Sequence, residues 1–142
     1  MKELATAFVK VQSQLHNISK DAEGYGYSYL TLSKMISETR GPLAECGLVV
    51  LQPLAEIAGQ PAVRTVLMHE SGQSIEGIQP ISAVTMKQCN SAQELGAAIT
   101  YARRYGYASI LSLAQVDDDA QSLGTGNKSQ QQTTNADNQI RF

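Results

Sequence analysis

Tyr101, Arg103, Arg104, Tyr105 and Tyr107 fall within two helical turns of one another. Guanidinium groups grip phosphate through paired N–H donors, and phenol rings offer flat faces on which bases stack. The same residue types also anchor protein interfaces, so their spacing leaves nucleic-acid contact and protein contact both open. For Arg104 a salt bridge or subunit contact stands beside a phosphate contact.

Other reactive groups are poorly placed for catalysis. Asp117, Asp118 and Asp119 are hard-cation ligand types, and a magnesium-dependent nuclease is the reading they invite. Three consecutive acids point in different directions, however, and a solvated acidic turn is the simpler expectation. Gly124, Gly126, Lys128 and Ser129 superficially resemble a phosphate-binding loop, but Asn127 separates glycine from lysine and no strand precedes them. His16 and His69 have no identifiable nucleophile or acid partner and read as structural or exposed, and Cys46 and Cys89 lack metal-ligand spacing. No catalytic residue, metal or cofactor is expected, and the thiols read as buried or idle.

The 142 residues and 42% hydrophobic content suit one modest core. Residues 1–116 carry 9 basic and 9 acidic side chains, whereas residues 117–142 carry 2 and 4, so the net charge of −2 sits in the tail. A neutral domain excludes a protein that coats duplex DNA with positive charge, and any nucleic-acid site must be a local groove, extended by symmetry in an oligomer. Residues 1–15 hold no uninterrupted apolar run, which argues against a signal peptide or membrane span and for a soluble protein of a reducing compartment.

The elements that must position the cationic segment follow from periodicity. Leu4, Phe8, Val11 and Leu15 predict a helix over residues 2–16. Residues 17–26 are polar and lead into alternating glycines and tyrosines, a loop or short extended segment in which Tyr25, Tyr27 and Tyr29 serve as core anchors, stacking platforms or subunit contacts. Thr31 caps a second helix bearing Leu32, Met35, Ile36 and Thr39, which Gly41-Pro42 should interrupt before a short continuation stops at Gly47. The period then changes to that of strands over residues 48–57, 62–70 and 74–82, with short connections that predict an antiparallel meander. Val63, Thr65, Leu67 and His69 share one face of the second strand, and Arg64, Val66 and Met68 the other. The central helix spans residues 91–116, begins at a Ser91/Glu94 capping box, and buries Leu95, Ala98, Ile99, Ala102, Ser109, Ile110 and Leu113. Residues 121–139 have too few apolar side chains to offset the entropy of ordering and read as disordered. Ile140, Arg141 and Phe142 are either an uninformative terminus or a short docking peptide.

Three blocks in order, Tyr25-Gly26-Tyr27-Ser28-Tyr29-Leu30-Thr31-Leu32, Pro42-Leu43-Ala44-Glu45-Cys46-Gly47-Leu48, and Gly96-Ala97-Ala98-Ile99-Thr100-Tyr101-Ala102-Arg103-Arg104-Tyr105 with the three aspartates after it, resemble the ERF (essential recombination function) family of phage single-strand annealing proteins. Leu67-Met68-His69-Glu70-Ser71-Gly72 resembles that family's second hairpin, and the likeness runs over residues 20–119. The resemblance implies an α+β fold, a three-stranded antiparallel sheet packed with helices in the order α-α-β-β-β-α, related to the ring-forming annealing recombinases. It divides the chain into an annealing domain, residues 1–119, and a disordered polar tail, residues 120–142. Gly106 departs from the family, where a larger residue such as alanine is more usual; glycine weakens a helix and permits a bend.

The resemblance further implies homo-oligomeric rings or arcs that bind single-stranded DNA and anneal complementary strands without ATP in phage recombination. A host or phage single-strand binding protein or exonuclease is a further partner class, and the bacterial host cytoplasm is the expected location. Arg103 and Arg104 are the expected backbone contacts, with Tyr101, Tyr105, Lys87 and Arg64 completing the groove. A structural oligomer without annealing activity is the other alternative to the nuclease.

Overall fold

The computed structural model describes residues 1–16, 18, 22–23, 28–82 and 90–113. Lys87, Tyr25, Tyr27, Cys89, the three aspartates 117–119 and the polar tail lie outside the described residues. The element order is α1 (Lys2–Gln12), β1 (Ala22–Glu23), β2 (Ser28–Tyr29), α2 (Leu32–Glu45), β3 (Leu48–Leu51), β4 (Leu54–Ile57), β5 (Gln60–His69), β6 (Ser74–Pro80) and α3 (Ser91–Ile110). This is the expected α+β architecture of helices packed on an antiparallel sheet.

α1 buries Leu4, Ala7 and Val11, one stripe at helical spacing. It stops four residues short of the expected end. Ser13 Oγ donates to the Lys10 carbonyl (2.7 Å), competing with the helical ladder, and the amides of Gln14 and Leu15 both reach Val11 O. Leu15 still packs against the core from this turn.

In α2 the Thr31 hydroxyl accepts from Lys34 N (3.2 Å), as the sequence predicts. The predicted interruption at Gly41-Pro42 is absent, and α2 runs through both residues. Pro42 removes one backbone donor, while Met35, Thr39 and Leu43 are buried at four-residue steps on either side of it and hold the helix together. Gly47 ends the element at φ +67°, a conformation glycine adopts without steric cost, and a Cβ there would lie 2.9 Å from Glu70 Cδ.

β5 is the central strand of the main sheet. β6 flanks it on one side, while β3 and β4 share the other side end to end. The single strand expected over residues 48–57 is thus two, broken at Gln52-Pro53, where the Gln52 amide bonds Thr65 Oγ1 (3.0 Å) and Arg103 O (2.8 Å). Ala58 and Gly59, at φ 50° and 76°, form a two-residue hairpin turn of the primed kind whose twist matches the strands it joins. The face of β5 carrying Val63, Thr65 and Leu67 is fully buried beneath the helices. On the opposite face Val66 is buried and Arg64 is exposed, so neither side is wholly polar, as expected.

α3 begins at Ser91, as predicted, but its cap lies one residue earlier than the Ser91 expected. Asn90 is the N-cap, its Oδ1 accepting from Gln93 N (2.9 Å) while Gln93 Oε1 accepts from Asn90 N (3.0 Å). The Asn90/Gln93 pair, one residue ahead of Ser91/Glu94, forms the reciprocal bonds. The helix ends at Ile110 rather than 116. Leu113 N bonds Ala108 O (2.9 Å) and Ser112 N bonds Ser109 O (3.1 Å), the two bonds of a Schellman motif, with Ser112 left-handed at φ 53°.

The buried face of α3 also differs from expectation. Ala98 and Ala102 are buried as expected, but Leu95 is 50% exposed and Ser109 is exposed, and Tyr107 and Ala108 are buried instead. A helix can approach a sheet closely only on small side chains, and Ala98, Ala102 and Gly106 recur at four-residue steps. Tyr107 turns into the core with Leu111, where its hydroxyl shares a 2.7 Å hydrogen bond with Thr39. Thr39 donates its own proton to Met35 O (2.8 Å), which makes Tyr107 the donor of the pair and leaves both buried hydroxyls satisfied.

Burial raises the Tyr107 phenol above its ordinary range, partly offset by the Thr39 bond and the Arg40 charge. The folded state therefore holds the phenol proton more tightly than the unfolded chain. That contribution to stability is full below about pH 10 and is lost as pH rises through the raised folded value. Tyr107→Phe should cost about 1 kcal/mol at neutral pH, because Thr39 keeps its backbone partner. Urea unfolding at increasing alkaline pH should show the wild type losing stability relative to this variant.

Candidate nucleic-acid interface

Successive residues of a helix point about 100° apart, and that angle sends Arg103 and Arg104 to different neighbours. Arg104 enters an aromatic cluster. Its guanidinium carbon lies 4.9 Å from the Tyr29 ring centroid and 5.3 Å from those of Tyr101 and Tyr105. Tyr101 and Tyr105 are a helical turn apart, with ring centroids at 4.4 Å and planes tilted by 44°. Each ring face attracts the cation, an interaction that strengthens as water is excluded. Arg104 Nε is buried and has no hydrogen-bond partner among the described residues. Tyr101 is 54% exposed, which leaves an aromatic surface open beside the charge.

Arg103 turns toward the sheet. Its Nε donates to Gln52 Oε1 (3.4 Å), and its carbonyl accepts from Gln52 Nε2. Gln52 thus ties the broken edge of the sheet to α3 at the position of the arginine. The side chain lines a cleft of about 460 Å³ between α2, β3 and α3, together with Arg40.

The remaining predicted residues separate. Tyr29 joins Arg104, supported by the short pairing of β1 with β2, Ala22 opposite Tyr29 and Glu23 opposite Ser28. Arg64 does not join the α3 residues within one chain. It alternates with Thr65, which faces α3, and so lies on the opposite side of the sheet, where its Nε is 3.9 Å from Glu76 Oε2. Tyr107 leaves the exposed aromatic set for the core. Arg40 and Gln52 were not legible as site residues: each is an isolated polar residue in its element, and only the packing of three elements brings them to Arg103.

Among the described residues no three His, Cys, Asp or Glu side chains approach one another closely enough to hold a metal, and no helix is long and apolar enough to cross a membrane.

These features define an α+β protein that presents a cationic and aromatic helix from a small antiparallel sheet. The chain belongs to the ERF superfamily, whose pattern it matches over residues 4–141. That match extends the resemblance over residues 20–119 to include α1 and nearly the whole tail. Membership places the chain among recombination proteins that act on DNA. No curated protein and no solved structure matched it.

Proposed function

We propose that the protein binds single-stranded DNA and anneals complementary strands during phage recombination, as a homo-oligomeric ring or arc and without nucleotide hydrolysis. The observation that carries this reading, beside family membership, is the Arg104 guanidinium set among Tyr29, Tyr101 and Tyr105, with Tyr101 open to solvent. A cation next to an accessible ring attracts the backbone and stacks a base irrespective of sequence, which is what holding an unpaired strand requires. Pairing itself releases the free energy, so no group in the protein has to make or break a bond.

Oligomerisation supplies what one neutral domain lacks. The sheet face opposite α3 exposes Val49, Leu51 and Ile78, an apolar surface suited to subunit contact, and repetition of α3 would align successive cationic clusters along a strand. Residues 1–119 form the annealing domain in this reading, with residues 120–142 as a tail available to an exonuclease or single-strand binding protein.

Fluorescently labelled complementary oligonucleotides test the proposal. The protein should accelerate their pairing without nucleotide, leave strand lengths unchanged with magnesium present, and sediment as an oligomer. Shortened strands would favour the nuclease, and assembly without salt-sensitive single-strand affinity would favour a structural oligomer.

A further inference from the structure

We infer that the cleft between α2, β3 and α3 holds one nucleotide of the unpaired strand, with Arg40 and Arg103 on its phosphodiester. This rests on the annealing reading and adds a residue and a subsite to it. At about 460 Å³ the cleft lies within the roughly 300–1,000 Å³ range of small-molecule sites. Ile36, Leu43 and Val50 give it an apolar wall, and Arg40 and Arg103 line it with no carboxylate among the lining residues. Among the described residues neither arginine makes an ion pair.

The two halves of this lining suit the two halves of a nucleotide. An apolar wall accepts the face of any base, while guanidinium forks match phosphate oxygens in pairs. Gln52, the polar side chain best placed to read a base edge, is committed to Thr65 and Arg103 through both ends of its amide. Its bonds fix Arg103 in place and leave the wall indifferent to sequence, as annealing of arbitrary strands demands. Arg40 is exposed on α2 and lines the cleft.

Arg40→Gln and Arg40→Glu in the full chain test the assignment, with labelled oligothymidylate titrated over a series of salt concentrations. Arg40→Gln should weaken binding about threefold to tenfold and lower the slope of log affinity against log salt by about 0.7 for every phosphate that a bound subunit no longer neutralises. Arg40→Glu should weaken it further, and neither should change the melting temperature. An oligomer of abasic sugar-phosphate should bind the wild type more weakly than oligothymidylate. Wild-type binding with an unchanged slope in Arg40→Gln would overturn the cleft assignment alone, whereas failure of the wild type to bind would overturn the annealing reading and the cleft with it. Capture of a polyglutamate peptide that Arg40→Gln abolishes, with DNA affinity intact, would give the cleft to an acidic protein segment and overturn the proposal.

Discussion

Replacing Arg104 by glutamate should reduce single-strand affinity on the order of 100-fold, the largest loss expected from one substitution in the proposed interface. The guanidinium faces three tyrosine rings. The cation–π contacts position the guanidinium in the free protein, whereas losing a desolvated charge that meets phosphate costs about 2–5 kcal/mol of binding, and each 1.4 kcal/mol is about tenfold in affinity. A carboxylate in the same place would meet the negative faces of the rings and repel the incoming phosphate, so the platform and the charge would disappear together. Because the site is partly buried, the variant also tests the fold, and Arg104→Lys separates the two effects. Lysine keeps the charge but not the planar stacking surface, and should retain part of the affinity with a smaller loss of melting temperature. If Arg104 only braced the helix, both variants would lower the melting temperature while the folded fraction bound DNA as tightly as the wild type.

Much of the scaffold for this cluster was legible in the residues themselves. The α1 stripe, the Thr31 cap, the Gly47 stop and the change to strand period depend on neighbours a few positions away, and all recur in the structure. The misplaced features depend on distant partners. Hydrophobicity selects Leu95 for the buried face of α3, but the distance between that helix and β5 is set by the smallness of Ala98, Ala102 and Gly106, and Leu95 remains exposed. Tyr107 resembles its aromatic neighbours until Thr39, 68 positions earlier, takes its hydroxyl. Pro42 predicts a break from local sterics alone, whereas burial of Met35, Thr39 and Leu43 keeps the helix whole. The arginine pair shows the same division: its type and spacing mark a cationic helix, but the separate destinations of Arg103 and Arg104 follow from Gln52 on one side and Tyr29 on the other.

Gly106→Ala should destabilise the fold by about 1–3 kcal/mol, opposite in sign to the helix-propensity gain of roughly 1 kcal/mol that alanine brings in an open helix. A Cβ on Gly106 would sit 2.5 Å from Thr65 Oγ1. Thr65 is 2% exposed on the central strand and its hydroxyl is held by Gln52, so the clash is with a packed side chain rather than the free end of a flexible one. Relief requires α3 to move away from β5 or Thr65 to turn away from its amide partner. For a domain of this size each 1 kcal/mol corresponds to about 3–4 °C, a loss that thermal unfolding resolves. Thr65→Ala removes the obstructing oxygen at the cost of the Gln52 bond, so adding Gly106→Ala to that background should be nearly neutral or stabilising, and the double-mutant cycle should show coupling of the two sites. A rise in melting temperature from Gly106→Ala alone would mean that the helix has room to spare. The close approach has a functional consequence as well, because Gln52 bonds both Thr65 and the Arg103 carbonyl. A helix displaced at Gly106 would carry Arg103 away from its anchor, so Gly106→Ala should weaken DNA binding even where the protein remains folded, and Thr65→Ala should restore much of the stability but less of the affinity, since it also frees Gln52.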